Sequence, residues 1–494
     1  MPANAFWNIA FGPYAFTVNR GDLTYRLEDT KTKTLWADGL LLGTIEIIER
    51  ETGTGTHYPF GDLKLISLSE KSGATGKRIL FGLDAPGRIP VDVYLTCTER
   101  EIQLTVEASR DTKTHHVGQI VLLPGLCAIP ADGVSHLAIP HREGAILLAK
   151  DAPEETTPLR IWDADAGLTM PFVGAVRGTD TSRSALALLT DSAYGVADLS
   201  RTDDSARLDL RYERDPERRR LDVRVVLMPE GDAIRIARAW RDKIVGDGGH
   251  VTLRKKMREK AALSAWLDGD ETAPAISNQL FLPPDGNRWV AMEEYLQDAE
   301  ANVPKNTVYF ADLCGDWAVP FVDIWHTIGA PMLGTAVPLL SVVHHDAVPL
   351  CFDTDADAGG SFLRALLHLA PPIPPNSPAA HIGVLHPLHT LSFGAFLTEH
   401  RFLTPDCAVE EARYSNGVRV VINGSETDDY ETDELHLPPL GFLATHPQMR
   451  AHYARRIGSE TFVARTWHVR QSHDGKRLDE SAVVQGYVYP LGRD

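Results

Sequence analysis

Apolar and polar residues alternate along the chain from its N-terminus to about Met228, and this pattern constrains the fold more than any other feature. A period of two is typical of half-buried β-strands, because successive side chains point to opposite faces. Residues 91–97 and 102–108 both alternate on either side of a charged turn, which predicts a hairpin. Many such short segments, separated by Gly, Pro and Asp turns, favour a large two-sheet β-sandwich over a small barrel.

The pattern changes to helical spacing at Gly231, where Ile234, Ala237, Trp240 and Ile244 predict a helix over 232–245. A second helix is predicted over 253–267. Further on, residues 307–311 and 338–343 are short apolar runs, typical of strands covered on both faces, and 361–369 predicts a helix. Alternation returns after Ala408.

These segments predict a multidomain α+β chain. We expect an N-terminal β-sandwich over 1–230, a helical linker over 231–270, a partial, barrel-like α/β domain over 271–401 and a small C-terminal β-sandwich over 402–494.

Composition excludes several classes of function. The 494 residues include 67 Asp and Glu against 49 Lys and Arg, a formal charge of −18, which repels nucleic-acid phosphates and anionic lipids. No run of apolar residues is long enough to span a membrane, and the N-terminus lacks the features of a signal peptide. Five scattered cysteines fit neither a disulfide framework nor a metal site. We therefore expect a cytoplasmic protein without cofactor or metal.

Several strings suggest a family. They are MPFVGAVRG (170–178), GDAIRIARAWRDKI with TLRKKMREK, GDWAVPFVD (315–323), VPLLSVVHHDAVP (337–349), and VRVVING with LPPLGFLATHP. In this order the chain resembles glycoside hydrolase family 129 and related α-N-acetylgalactosaminidase-like retaining α-glycosidases. The resemblance implies a large β-sandwich, a (β/α) barrel whose last strand is 338–343, and a small β-sandwich.

The chain departs from this family in the length of its middle. A (β/α)8 barrel takes about 250 residues and rarely fewer than about 200, whereas only about 130 separate Leu267 from Arg401. The barrel must therefore be much shortened. The stretch 268–305 replaces the region that carries the nucleophilic aspartate in the relatives, so the resemblance assigns no nucleophile.

The densest cluster of candidate site residues follows the predicted strand 307–311: Asp312, Asp316, Trp317 and Asp323. Carboxylates just beyond a barrel strand are where such folds place their chemistry, and a Trp ring can stack on a sugar. By resemblance Asp312 takes the place of the acid/base glutamate, although it is one methylene shorter. Alternatively, Asp312 caps the following loop, and Asp316 and Asp323 are solvated turn residues.

A second cluster, His344, His345 and Asp346, ends the predicted strand 338–343. On a strand His344 and Asp346 would share one face, from which they could bind substrate hydroxyls. By resemblance Asp346 contacts substrate. The alternative, favoured for His345, is a buried histidine paired with a neighbouring carboxylate.

These features predict a glycoside hydrolase-like protein that acts on or binds α-linked sugars. Asp312 would be catalytic, and Asp316, Trp317, Asp323, His344 and Asp346 would bind substrate in one pocket. A competing hypothesis is a non-catalytic remnant that binds a glycan or a protein. A short parallel sheet leaves unpaired edges, which either another part of the chain or a second copy of it could cover, and of these we favour a homodimer.

Overall fold

The structure is a computed structural model, which describes residues 6–11, 14–19, 23–40, 42–73, 76–108, 110–163, 166–179, 182–192, 194–213, 220–268, 273–279, 304–312, 314–326, 332–352, 359–371, 378–463 and 465–490. The described residues divide into two compact units. The first contains those up to Asp242 together with 332–336, and the second contains the remainder.

The first unit is built from antiparallel strands, numbered here along the whole chain. They are β1 (Phe6–Phe11), β2 (Tyr14–Asn19), β3 (Thr24–Asp29), β4 (Leu35–Leu40), β5 (Leu42–Glu49), β6 (Gly55–Pro59), β7 (Lys64–Gly73), β8 (Gly76–Ala85), β9 (Ile89–Cys97), β10 (Glu101–Ala108), β11 (His115–Pro130), β12 (His136–Ile139), β13 (Ala145–Leu148), β14 (Thr157–Arg160), β15 (Phe172–Thr179), β16 (Ser182–Thr190), β17 (Gly195–Arg201), β18 (Ser205–Glu213), β19 (Arg220–Pro229) and, later in the chain, β23 (Thr335–Ala336).

Three sheets form from these strands. Their orders are β1-β2-β3-β4, β23-β13-β12-β15-β16-β19-β10-β9-β8-β7 and β14-β17-β18-β11-β5-β6. The large sheets are sandwich-like, because β11 of the third sheet contacts β15 and β16 of the second. On β4, Trp36 donates its Nε1–H to Ser184 Oγ of β16 at 3.2 Å, and the Arg177 guanidinium lies 4.7 Å from its ring centroid.

The predicted β-rich N-terminal region is confirmed by this unit. The hairpin expected from residues 91–108 is β9 with β10, where Cys97 pairs with Ile102 and Val91 with Ala108. Alternate residues of β9 are buried from Ile89 to Cys97, as the period of two predicts.

Helices and short parallel strands open the second unit, after α1 (Ala233–Gly246), which spans the boundary between the units. The helices are α2 (Leu253–Glu259), α3 (Ala261–Leu267), α4 (Leu339–His344), α5 (Gly359–Leu367) and α6 (Ala379–Leu391). The strands are β20 (Ala275–Gln279), β21 (Val308–Asp312), β22 (Ile324–His326) and β24 (Leu350–Cys351).

These four strands form one sheet in the order β20-β21-β22-β24, and every pairing in it is parallel. Helices α2 and α3 cover the sheet through a buried apolar cluster that includes Leu253, Trp266, Val308 and Ile324. Because parallel strands end together, the carboxyl ends of β21 and β22 lie side by side, with Asp312 opposite His326. The shortened barrel stays a prediction.

Antiparallel strands complete the second unit. They are β25 (Leu397–Phe402), β26 (Val409–Tyr414), β27 (Arg419–Asn423), β28 (Tyr430–Glu431), β29 (Leu435–Leu437), β30 (Phe442–His446), β31 (Met449–Tyr453), β32 (Arg456–Ile457), β33 (Glu460–Thr461), β34 (Thr466–Ser472) and β35 (Val484–Pro490). One sheet has the order β25-β26-β27-β30-β31-β34-β35 and the other β28-β29-β32-β33. A buried apolar cluster joins strands of both, for example Val421 of β27 and Leu437 of β29.

Two predictions about local structure are wrong. Residues 339–344 form helix α4 where a strand was predicted over 338–343, and all six residues of α4 are buried. An apolar run without alternation fits a fully buried helix as well as a strand, and Pro338 stands at the N-cap, next to the first-turn site where proline is favoured. The helix expected over 253–267 is divided at Lys260, whose backbone is extended (φ −134°, ψ 98°).

Candidate active site

Two polar residues meet at the carboxyl ends of β21 and β22. Asp312 Oδ1 lies 2.8 Å from His326 Nδ1, and both side chains remain about one-fifth exposed, 21% and 19%. An ionised carboxylate can only accept, so this contact requires the His326 Nδ1–H to donate to it. The bond thereby holds the imidazole in one orientation.

A second carboxylate–imidazole pair lies deeper. Asp316 belongs to a short 3₁₀ helix, Asp316–Ala318, and its Oδ2 lies 3.3 Å from Nε2 of His344 on α4. Both side chains are almost completely buried, with 3% and 2% exposed. The sequence named both residues as candidates, and the structure brings them together.

The pKa of the Cys314 thiol is affected by the carboxylates of both pairs. Cys314 is completely buried between Asp312 and Asp316 in the chain. Burial raises the pKa of the Cys314 thiol well above its ordinary value, and the negative charges of Asp316 and Asp312 raise it further. The thiol therefore stays protonated at neutral pH.

The other two acidic candidates, Asp323 and Asp346, interact with other residues of the second unit. Asp323 is 3% exposed, accepts the backbone N–H of Tyr309 at 2.8 Å and forms an ion pair with Lys260. Asp346 lies 3.2 Å from Nε2 of His250. Their carboxylates thus take part in bonds that hold the fold.

Trp317 follows Asp316 in the same 3₁₀ helix and is partly exposed. Its indole Nε1–H has no acceptor among the residues that the structure describes. A partly exposed indole with an unpartnered donor suits a ligand that both stacks and accepts a hydrogen bond.

The prediction that His344 and Asp346 share a strand face was wrong, because α4 ends at His344 and Asp346 lies in the turn after it. His345 is buried, as its alternative interpretation held, but its Nδ1 contacts the carbonyl of Ala395 at 2.7 Å rather than a carboxylate. Burial lowers the pKa of His345, so it stays neutral at pH 7.

His326 was not among the sequence candidates. The available signal was the string Ile-Trp-His, in which a polar residue ends a short buried strand just as Asp312 ends β21. With three residues, β22 is too short to stand out by periodicity.

No group of three or more His, Cys, Asp and Glu residues in the described part of the chain is arranged to hold a metal ion. The described helices also include none long and apolar enough to cross a membrane.

Comparison with solved structures identifies the α-N-acetylgalactosaminidase NagBb from Bifidobacterium bifidum as similar. Its complex with Gal-NHAc-DNJ matches with a TM-score of 0.65 and 13% sequence identity, over 84% of this chain and 98% of that chain. The fold of this chain is similar to that of NagBb. The GalNAc complex and the ligand-free form of NagBb match over the same shares, at 12% identity and TM-scores of 0.61 and 0.62.

At this level of identity the similarity concerns the fold alone. No protein-family model matches the sequence, and no curated protein matches it. The resemblance predicted from the sequence strings is thus supported as far as the fold is concerned.

Proposed function

We propose that this protein acts on or binds α-linked sugars, with α-N-acetylgalactosaminides as the first class to test. The observation that carries the proposal is the partly exposed Asp312–His326 pair. It stands at the carboxyl ends of neighbouring parallel strands, where α/β folds bind their ligands, in a chain whose fold resembles that of NagBb.

In the catalytic form of the proposal, Asp312 is the general acid and base. It would protonate the glycosidic oxygen as the bond breaks and then take a proton from the attacking water. His326 is a positioning residue, since its Nδ1 contact at 2.8 Å fixes the direction of the Asp312 carboxyl group. Retention of configuration requires a second carboxylate about 5 Å from the first, and we assign none.

The competing hypothesis, a non-catalytic protein that binds a glycan, has one observation in its favour. Asp316 and Asp346 lie in the same part of the chain, but each is bonded to a histidine and nearly buried. A nucleophile must reach the anomeric carbon, and these two carboxylates are engaged within the fold. In this form of the proposal Asp312, His326 and Trp317 would contact a sugar that is not cleaved.

Hydrolysis of two α-N-acetylgalactosaminides with different leaving groups tests the catalytic form. A general acid contributes about 10²- to 10⁴-fold to the rate. We expect Asp312→Asn to lose that factor on a methyl glycoside and much less on the p-nitrophenyl glycoside, whose leaving group needs no protonation. Asp433→Asn, an exposed aspartate in the same unit, is the matched control.

Equal losses on both substrates would show that Asp312 is not the acid. If the wild-type protein binds N-acetylgalactosamine but hydrolyses neither glycoside, the non-catalytic hypothesis replaces the catalytic one.

A further inference from the structure

A cavity of about 360 Å³ lies at the other end of the parallel sheet. Its lining includes Tyr309, near the start of β21, and Asp323, directly before β22. Asp312 and His326 stand at the opposite, carboxyl ends of the same strands. The cavity is therefore separate from the proposed sugar site, and its size lies at the lower end of the range for pockets that bind small molecules, about 300–1,000 Å³.

Hydrogen-bond donors dominate this cavity, beginning with a buried lysine. Lys256 lines it and is 6% exposed. Its Nζ donates to the carbonyls of Val319 and Val322 at 2.5 and 2.6 Å. An ammonium has three donors, and only these two hydrogen bonds from the Lys256 Nζ are found within the described part of the chain.

Tyr309 and Lys305 add to the unused donors. The Tyr309 side chain is 3% exposed, and its hydroxyl has no hydrogen-bond partner among the described residues. A buried polar group without a partner destabilises the fold, so a ligand that accepts from this hydroxyl would remove that penalty. Lys305 lines the cavity from an exposed position and forms no ion pair with any described residue.

The acceptors in the lining do not balance these donors. Asp323 Oδ2 already accepts from Lys260 and from the Tyr309 backbone N–H, and Glu259 is exposed at the cavity. When Lys256 is protonated, three lysines against two carboxylates leave one net positive charge. Phe321, 40% exposed, adds an apolar face.

From this arrangement we propose that the cavity is a binding site for a small organic oxyanion, such as a phosphate ester or a carboxylate with a ring attached. The oxyanion accepts from Lys256, Lys305 and the Tyr309 hydroxyl, and its ring lies against Phe321. This site is independent of the sugar site proposed above.

Proton uptake on binding distinguishes this site from a patch of surface charge. Burial lowers the pKa of Lys256 to about 7, and Lys260 lowers it as well, while Asp323 and Cys314 oppose the shift. An oxyanion beside the amine stabilises its charged form, so at pH 8 binding should take up about one proton per site.

Isothermal titration with phenyl phosphate at pH 8, in two buffers of different ionisation enthalpy, measures affinity and proton uptake together. Tyr309→Phe removes only the hydroxyl and Lys305→Ala only a surface charge. Each should weaken binding about tenfold, since a hydrogen bond to a charged group contributes enough for that factor. Lys256→Met should abolish the proton uptake. Lys255→Ala, an exposed lysine on the same helix outside the cavity lining, is the matched control.

Benzyl alcohol, a neutral analogue, should not bind. The proposal is overturned if phenyl phosphate does not bind, if benzyl alcohol binds equally well, or if Tyr309→Phe and Lys305→Ala bind like Lys255→Ala. These two substitutions keep the test decisive should Lys256→Met fail to fold. Loss of sugar binding would leave this result unaffected, so the two proposals can fail separately.

Discussion

Low pH should destabilise the C-terminal sheets, because His452 is protonated more readily in the unfolded chain than in the folded one. His452 on β31 stacks on its cross-strand neighbour His468 of β34, with ring centroids 5.0 Å apart and planes at 9°. It is 1% exposed, and neither ring nitrogen has a hydrogen-bond partner among the described residues. Burial lowers the pKa of His452 to about 3, and Arg450, His468 and Arg470 add to the effect.

The sign and size of the effect follow from proton linkage. In the unfolded chain the pKa of a histidine is about 6.5, so between about pH 6.5 and 3 the unfolded state binds a proton that the folded state does not. Stability is therefore complete above pH 6.5 and falls as the pH is lowered. For His452 alone the loss is roughly 1.4 kcal/mol at pH 5.5 and roughly 2.7 kcal/mol at pH 4.5.

His452→Phe isolates this contribution, because it keeps a ring in the stack and removes only the titration. Hydrogen exchange of peptides that cover β31 and β34, measured in increasing urea at pH 7.5, 5.5 and 4.5, reports the local free energy of unfolding. We expect wild type and variant to be similar at pH 7.5 and the variant to be the more stable at pH 4.5. Parallel pH dependences of the two proteins would refute the reasoning.

Three further predictions concern other regions. Trp317→Ala should weaken oligosaccharide binding with little change in melting temperature, since the indole is partly exposed; a large fall in melting temperature with unchanged affinity would show a core residue instead. Glu411→Gln should lower the free energy of unfolding by about 2 kcal/mol, because this buried carboxylate forms ion pairs with Arg401, Arg413 and Arg419. Urea titration measures the change. Of the five thiols, that of Cys407 should react first with a disulfide reagent in the folded protein, because the other four are buried; early labelling of a second cysteine would contradict the burial.

The sequence predicted the elements whose pattern depends on one exposed face. Strand β9 buries every second residue, and α1 buries Ile234, Ala237 and Trp240, so the period of each element shows directly which residues lie inside. Such amphipathic segments report their own conformation.

Fully buried segments do not carry this signal. Helix α4 has no exposed face, so its apolar run predicts a strand as readily as a helix. The candidate site shows the same limit. Asp312 could be found because it follows a recognisable strand, whereas its partner His326 lies 14 residues later on a strand of three residues. Their contact depends on the parallel pairing of β21 with β22, which no local pattern specifies.

Titration of N-acetylgalactosamine into the wild-type protein, Asp312→Asn, His326→Asn and Asp433→Asn tests the central claim most directly, because both forms of the proposed function require the sugar to contact the Asp312–His326 pair. Protein-observed NMR or calorimetry gives the dissociation constant of each. The account predicts that the wild type and Asp433→Asn bind alike, and that the other two variants bind about tenfold more weakly, the loss expected for a hydrogen bond to a charged group. No binding to the wild type, or equal binding to all four proteins, would contradict it.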